Sequence, residues 1–267
     1  MLITDSLAII RHMERPNTQY YINKLFPDFM ELSGDRLYGD DSSIICGIAL
    51  INDMPVTVVG QQRGRDLKEH LRYNFSMGKP EGYRKALRLM KQAEKFHRPI
   101  ICFVDTLGAH PGKEAEERGQ GSAIAHCLME MMNLKVPIIS VLLGNGGSGG
   151  ALALCVADRI IALEHSNLSV IAPKACANIL WKDSSKEAEA AIMLKMGAHD
   201  LEGFGVINRI LFEPGEGAHT NPEVMASNLF QCLRDELEKI MKTSKNKLVR
   251  IRNRKYQNIG RQYIRNK

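Results

Sequence analysis

Apolar and polar positions along the chain fall into a repeated unit: a short apolar run, a glycine-bearing turn, then an amphipathic stretch. Pro99-Ile-Ile-Cys-Phe-Val-Asp105 is a continuous apolar run of strand length and ends in Thr106-Leu-Gly-Ala-His-Pro-Gly112. Pro137-Ile-Ile-Ser-Val-Leu-Leu143 repeats the run 38 residues later and ends in Gly144-Asn-Gly-Gly-Ser-Gly-Gly150. Runs without a polar face predict strands covered on both sides of a sheet. Tyr83, Ala86, Leu87, Met90 and Ala93 recur at helical spacing and predict a helix over Glu81–Phe96; Ile124, Cys127, Leu128 and Met131 predict a second. Upstream, Ser43–Ile51 and Pro55–Gln61 flank the turn residues Asn52-Asp53-Met54 and predict a hairpin. Further strands are expected at Arg159–Leu163, Leu168–Ile171 and Val206–Phe212, and a helix pair up to Phe29 broken near Arg15-Pro16. Asn221 as cap and Pro222 as first helical residue open a helix with the stripe Met225, Leu229, Cys232, Leu233, Leu237 and Ile240. Such a succession predicts an α/β layered architecture of successive similar units.

Composition narrows the class. The chain of 267 residues is 44% hydrophobic and 25% charged, an ordinary globular balance. It holds no apolar run of about 18 residues to span a membrane. Met1–Arg15 mixes acids and bases among its apolar residues and does not read as a signal peptide, so a cytoplasmic protein is expected. Six scattered cysteines without a CxxC pair read as buried reduced thiols, not as a metal site. The net charge of +6 is unevenly placed: residues 248–267 carry seven Arg and Lys and no acid, which leaves −1 for the remainder. The basic end reads as a solvated tail or docking segment, with nucleic acid a less favoured partner.

Chemistry points to the glycine turns. Five glycines among Gly144–Gly150, directly after a buried strand, imply that backbone closely approaches something. A helix starting near Ser148 or Gly149 leaves its first N–H groups without intrahelical partners, able to hold a phosphate or a developing oxyanion. The match to Gly-x-Gly-x-x-Gly is set aside, because the following helix is too short for a dinucleotide-binding crossover. Gly108 and Ala109 end the preceding strand and are expected to face the same cleft. His110 is the one titratable base nearby, and Glu114, Glu116 and Glu117 suit a helix first turn. Arg63, Arg65, Lys68, Arg72, Lys79, Arg84, Lys85 and Arg88 form a basic stretch that fits a phosphorylated ligand or a solvated face. No Gly-x-Ser-x-Gly, HExxH or Walker lysine is present, so catalysis would rest on positioning and oxyanion stabilisation.

These residues also carry a resemblance. Leu32-Ser-Gly-Asp-Arg36, Gly60-Gln-Gln-Arg-Gly-Arg65, Pro80-Glu-Gly-Tyr-Arg-Lys-Ala-Leu-Arg-Leu-Met90, Ala115-Glu-Glu-Arg-Gly-Gln120, Gly146-Gly-Ser-Gly-Gly-Ala-Leu152, Ile179-Leu-Trp-Lys182 and Gly217-Ala-His219 follow one another over nearly the whole chain. In that order they resemble the carboxyltransferase alpha subunits of multisubunit acetyl-CoA carboxylases. The resemblance implies a crotonase-like (ClpP/crotonase) α/β fold of repeated ββα units. It divides the chain into an N-terminal helical segment (1–30), a carboxyltransferase domain (31–220) and a C-terminal docking helix with basic tail (221–267). It implies transfer of a carboxyl group from biotin, held on a separate carrier protein, to acetyl-CoA, giving malonyl-CoA, with no metal in this chain. The implied partners are a zinc-ribbon beta subunit in an alpha2beta2 heterotetramer, the biotin carboxyl carrier protein, and biotin carboxylase in the holoenzyme. Gly149 and Gly150 match the backbone oxyanion hole; Gly108, Ala109, Gly146, Gly147, Arg63 and Arg65 are the expected substrate-binding positions.

Four positions depart from the family pattern, which has Pro at Leu107, Tyr at His110, Glu at Asn145 and Ser-Pro-Glu-Gly at Ala172-Pro-Lys-Ala175, where Lys174 reverses a charge. They point to an alternative, a divergent paralogue acting on another acyl-CoA. A non-catalytic assembly or RNA-binding subunit is a further alternative, resting on the basic end. A self-sufficient enoyl-CoA hydratase lacks support, because no paired carboxylates flank the glycine turns.

Overall fold

The protein, described over residues 3–261 in a computed structural model, is built on one mixed seven-stranded sheet with helices on both faces. Helices α1 (Ile3–Ile10) and α2 (Thr18–Leu25) come first, with the expected break between them at Arg15-Pro16. Strands β1 (Met30–Glu31), β2 (Ile44–Ile51) and β3 (Met54–Gln61) pair antiparallel. Asn52 and Asp53 both take positive φ, 47° and 60°, so the β2–β3 connection is the two-residue turn whose twist matches the flanking strands. The short α3 (Leu67–Arg72) and long α4 (Pro80–Lys95) then lead to β4 (Ile100–Thr106). Next come α5 (Lys113–Glu117), α6 (Gln120–Asn133), β5 (Ile138–Gly146), α7 (Ser148–Leu152) and β6 (Arg159–Leu163). Helices α8 (Pro173–Trp181), α9 (Glu187–Leu194) and α10 (Ala198–Gly203) precede β7 (Arg209–Leu211); α11 (Pro222–Met241) and α12 (Lys245–Asn258) close the chain.

Strand order follows the sequence, and β3 through β7 run parallel. The repeated Pro-Ile-Ile starts lie side by side, Ile100 opposite Ile138 and Ile101 opposite Ile139. Alternation then sorts each strand into two cores. Ile100, Cys102 and Val104 join Ile138 and Leu142 under α4 and α6, against Tyr83, Ala86, Met90, Cys127 and Met131. Ile101 and Phe103 join Ile139 and Val141 on the other face, under α2 and α11. The α11 stripe expected from sequence (Met225, Leu229, Cys232, Leu233, Leu237, Ile240) is buried there, and Asn221 caps the helix by accepting from Val224 N–H. It docks on the chain's own sheet.

Three expectations are corrected. Leu168–Ile171 is not a strand: Ser169 makes only an isolated parallel bridge to Gly147, because the segment turns along the glycine loop rather than the sheet. The short helix expected after the glycine turn is shorter still, five residues ending at Leu152. Of the two readings of the basic end, the solvated tail is overturned and the docking segment stands through residue 258. There α12 buries Leu248, and the wholly buried Arg252 donates to Met131, Leu134 and Val136 carbonyls and to both oxygens of Asp158. Lys255 donates to Asn208 Oδ1 at 2.7 Å, and burial lowers its pKa to about 8. Arg252 therefore acts as an internal polar anchor and the half-buried Lys255 as a second tie nearer the surface; Arg265 and Lys267 lie outside the described residues. Cys46, Cys102, Cys127, Cys155 and Cys232 are buried free thiols, and burial pushes those of Cys46, Cys127 and Cys155 up to about 12. Among the described residues no helix is long and apolar enough to cross a membrane.

Candidate functional site at the paired glycine turns

The ends of β4 and β5 bring the two glycine turns against each other. Pairing continues past a register shift to Thr106 opposite Gly146, and Gly147 N–H donates to Thr106 O at 2.9 Å. The approach leaves no room for side chains. A Cβ on Gly147 would lie 2.2 Å from Leu107 O, and one on Gly150 would lie 2.5 Å from Gly108 C and 2.6 Å from Ala109 N. A Cβ on Gly146 would meet Asn167 O at 2.5 Å. At Gly149 the nearest atom would be Ile124 Cγ2 at 3.7 Å, an ordinary contact. Glycine is thus required at 146, 147 and 150 by backbone packing, a demand the local sequence does not display.

The main-chain donors of the second turn divide into two sets. Asn145 N–H donates to Asp105 Oδ1 (2.9 Å), Ser148 N–H to Ser169 O (2.8 Å) and Ala151 N–H to Gly147 O (3.1 Å). The N–H groups of Gly149 and Gly150 have no acceptor among the described residues. Ser148, just before them, is held at φ 49°, a left-handed conformation that costs a non-glycine residue about 1–3 kcal/mol. In the first turn the Gly108 N–H is taken by Thr106 Oγ1 at 3.1 Å, correcting the expectation that it faces a cleft. The Thr106 hydroxyl also lies 2.6 Å from Ser76 O. Ala109 N–H has no acceptor among the described residues, and lies against Gly150.

Two crevices open beside the turns and share Arg11, Leu107 and Asn145. One, of about 250 Å³, adds Arg63, His70, Phe75 and Ser76. The other, of about 120 Å³, adds Gly147, Ser148, Ser169, Ile171, Ala172 and Pro173. Gly149 and Gly150 follow Ser148 in sequence but line neither crevice. Leu107, 60% exposed, and Asn145 are two of the four departures from the resembled family, and both face these crevices.

The expected cationic positions do other work. Arg63 donates to the carbonyls of Ile10 and Arg15 and approaches Asp105 at 3.4 Å, so it clamps the α1–α2 connection to the floor of the site. Arg65 is exposed, pairs with Glu69, and lines a separate cavity of about 750 Å³. Arg84 pairs with Asp35, Lys85 with Asp40, and Arg88 donates to Gly34 and Ser33 carbonyls. That face of α4 grips the loop before β2 instead of lining the glycine turns. Asp35 is correspondingly acidic: burial opposes ionisation, but N–H donors of residues 37–39 and the Arg84 guanidinium hold its pKa at about 2. His110 Nε2 pairs with Glu114 at 2.9 Å, which draws its ring toward α5. Lys174 is exposed in the first turn of α8.

Sequence reasoning missed two supports of the turns. Asp105, buried at the end of β4, joins Arg63 to Asn145 N–H. Gln61, fully buried at the end of β3, donates from Nε2 to Gly150 O at 2.7 Å. Both lay inside quoted strings, but their contacts reach across 40 and 89 residues of sequence.

Comparison with known proteins gives one answer. Residues 2–260 match the family model described as acetyl co-enzyme A carboxylase carboxyltransferase-like. The chain is 54% identical over 255 residues to the acetyl-coenzyme A carboxylase carboxyl transferase subunit alpha of Clostridium perfringens, covering 96% of this chain and 94% of that one. It is 55% identical over 260 residues to the same subunit of Bacillus cytotoxicus, covering 97% and 80%. In fold it resembles a chain of a Pseudomonas malonate decarboxylase hetero-tetramer in complex with coenzyme A (TM-score 0.68, 18% identity, 96% and 98% covered). It also resembles the transcarboxylase 12S core with methylmalonyl-coenzyme A bound (TM-score 0.65, 19% identity, 85% of this chain and 44% of that one). The architecture is the crotonase-like α/β fold that these structures share.

Proposed function

This chain belongs to the acetyl-CoA carboxylase carboxyltransferase alpha family, and from that premise we infer that it moves a carboxyl group from carboxybiotin to acetyl-CoA, giving malonyl-CoA. The observation that carries the mechanism is the pair of N–H groups at Gly149 and Gly150 without an internal acceptor. Two adjacent main-chain donors, fixed by a turn that cannot relax, suit an oxygen that gains negative charge as a carboxyl group leaves. Such donors cost no reorganisation at the moment of reaction, and removing one typically costs about 3–4 kcal/mol of transition-state stabilisation. Carboxybiotin, when bound, supplies the carboxyl group and, on its release, a nitrogen able to take the thioester α-proton. The chain's own part is then to hold an oxyanion at Gly149 and Gly150, to shape the crevice with Leu107, Asn145 and Gly147, and to exclude water. Arg63 contributes by fixing the crevice wall.

A second polypeptide completes this site in our reading: a beta subunit bearing the zinc ribbon, in an alpha2beta2 arrangement served by the biotin carboxyl carrier protein and, in the holoenzyme, biotin carboxylase. The support is an exposed apolar surface. Val170, Ile179, Leu180, Ile192 and Met193 are each more than half exposed, four of them on α8 and α9, which pack together. The surface continues from Ile171, Ala172 and Pro173 in the crevice wall. One partner laid over α8 and α9 would close the crevice as well.

The reading is tested with purified components. The chain alone is expected not to convert malonyl-CoA and biocytin into acetyl-CoA and carboxybiocytin; with its beta subunit it is expected to. Turnover of another acyl-CoA in preference to malonyl-CoA by that complex would favour the paralogue alternative, and no turnover in any partner mixture would end the carboxyl-transfer reading. Ile179→Asp, which places a charge in the apolar surface, is expected to weaken assembly at least tenfold by sedimentation while leaving the isolated chain's Tm unchanged within about 3 °C. Undiminished assembly would show that the partner binds elsewhere.

A further inference from the structure

We propose that Gln61 is a positioning residue for carboxyl transfer, acting through the Gly150 carbonyl; the inference rests on the proposed role of the Gly149 and Gly150 amides. Gln61 ends β3, next to β4, and its side chain reaches past that strand to the second glycine turn, where Nε2 donates to Gly150 O at 2.7 Å. The orientation of the amide is fixed by chemistry, since only the NH2 end can face a carbonyl. Its backbone is anchored too: Thr18 Oγ1 donates to Gln61 O, tying the residue to α2. The peptide that Gln61 holds is the one directly after the two donors, and its N–H side, Ala151, is held by Gly147 O. Both ends of that peptide are therefore pinned, and the direction of the Gly149 and Gly150 N–H groups is pinned with them.

A second observation separates this role from plain packing. Gln61 Oε1 is buried and has no hydrogen-bond partner among the described residues. An interior amide that leaves its oxygen unpaired is a poor choice for stability, where an apolar side chain of equal length would avoid the orphan. The glutamine makes sense if its donor is wanted at Gly150 O. Gln61→Met has the same reach and removes the donor; it exchanges one orphaned acceptor, Oε1, for another, Gly150 O, so folding is expected to lose no more than the one hydrogen bond.

The experiment uses the assembled complex with malonyl-CoA and biocytin. Gln61→Met is expected to lower kcat 10- to 100-fold, to change the KM for malonyl-CoA less than threefold, and to shift Tm by no more than about 4 °C. Gln61→Glu supplies a donor to Gly150 O only when protonated, so its kcat is expected to recover as pH falls while that of Gln61→Met does not. Wild-type kcat in Gln61→Met would overturn the inference, as would a loss of activity that matches a loss of assembled complex. An inactive wild-type complex would instead overturn the carboxyl-transfer reading itself, and this inference with it.

Discussion

Gly150→Ala is expected to lower kcat of the assembled carboxyltransferase by about 10²–10³-fold, the loss that accompanies removal of one oxyanion donor, whereas Gly149→Ala should stay within roughly threefold of wild type. The contrast follows from what each new methyl would meet. At Gly150 it would lie within 2.6 Å of Gly108 C and Ala109 N, both main-chain atoms with no side-chain freedom to yield. One turn or the other must move, and the Gly150 N–H moves with it. At Gly149 the methyl would reach Ile124 Cγ2 at 3.7 Å and nothing nearer, while the Gly149 N–H itself is retained. Alanine there also suits a helical first turn better than glycine. Bulk at position 150 thus acts from behind, by displacing the turn, not by filling the space an oxyanion would occupy. Steady-state kinetics on both variants, with sedimentation to verify assembly, checks the pair. Equal activity of the two variants would sink the packing argument.

The sheet was legible because its signal is local. Strands β4 and β5 follow the same Pro-Ile-Ile start and are apolar over most of their length, so their burial could be anticipated. Hairpin β2–β3 and the cap of α11 were legible for the same reason, since turn and cap chemistry lie within a few residues. Gly149 and Gly150 were legible as a glycine-rich strand end. What separates them was not: Gly150 is glycine because of residues 108 and 109, some 40 positions away, and Gly149 has no such neighbour.

The remaining gaps share a cause, which is that buried polar contacts leave no periodicity. Helix α12 looked like a basic tail because Arg252 and Lys255 count as surface residues in any hydropathy pattern; the structure satisfies Arg252 with three carbonyls and a carboxylate. Arg63 looked like a ligand cation and serves as a clamp on the α1–α2 connection. Leu168–Ile171 had strand composition, yet its backbone partner is the glycine turn and not a strand. In each case the partner lies far off in sequence.

The same logic singles out Arg15 and Glu213, where the largest stability effect is expected. Both side chains are almost wholly buried, and Arg15 donates to both carboxylate oxygens of Glu213 at 2.6 Å and to Leu143 O, the residue before the glycine turn. Glu213 also accepts from the N–H groups of His165 and Ala218. The pair therefore ties the α1–α2 connection, the end of β5 and two further loops to one point. Arg15→Met would leave Glu213 as a buried charge without its cation, at a cost of about 3–5 kcal/mol, or a Tm lower by roughly 6–20 °C. Combining it with Glu213→Leu should restore much of that loss, because the unpaired charge is removed with its partner. Burial opposes ionisation of Glu213, but the Arg15 hydrogen bond and charge, then the two N–H donors, hold its pKa below the ordinary carboxylate value. A depressed carboxylate contributes stability that is complete above its unfolded pKa and is lost as pH falls through the folded one. Wild-type stability should accordingly decline as pH drops below the ordinary glutamate range, and Arg15→Met, which removes two of the causes of that depression, should flatten the decline. Denaturant melts of the four combinations across acid pH measure both effects. An Arg15→Met variant as stable as wild type, with an unchanged pH profile, would show that this buried pair does not hold the loops around the turn.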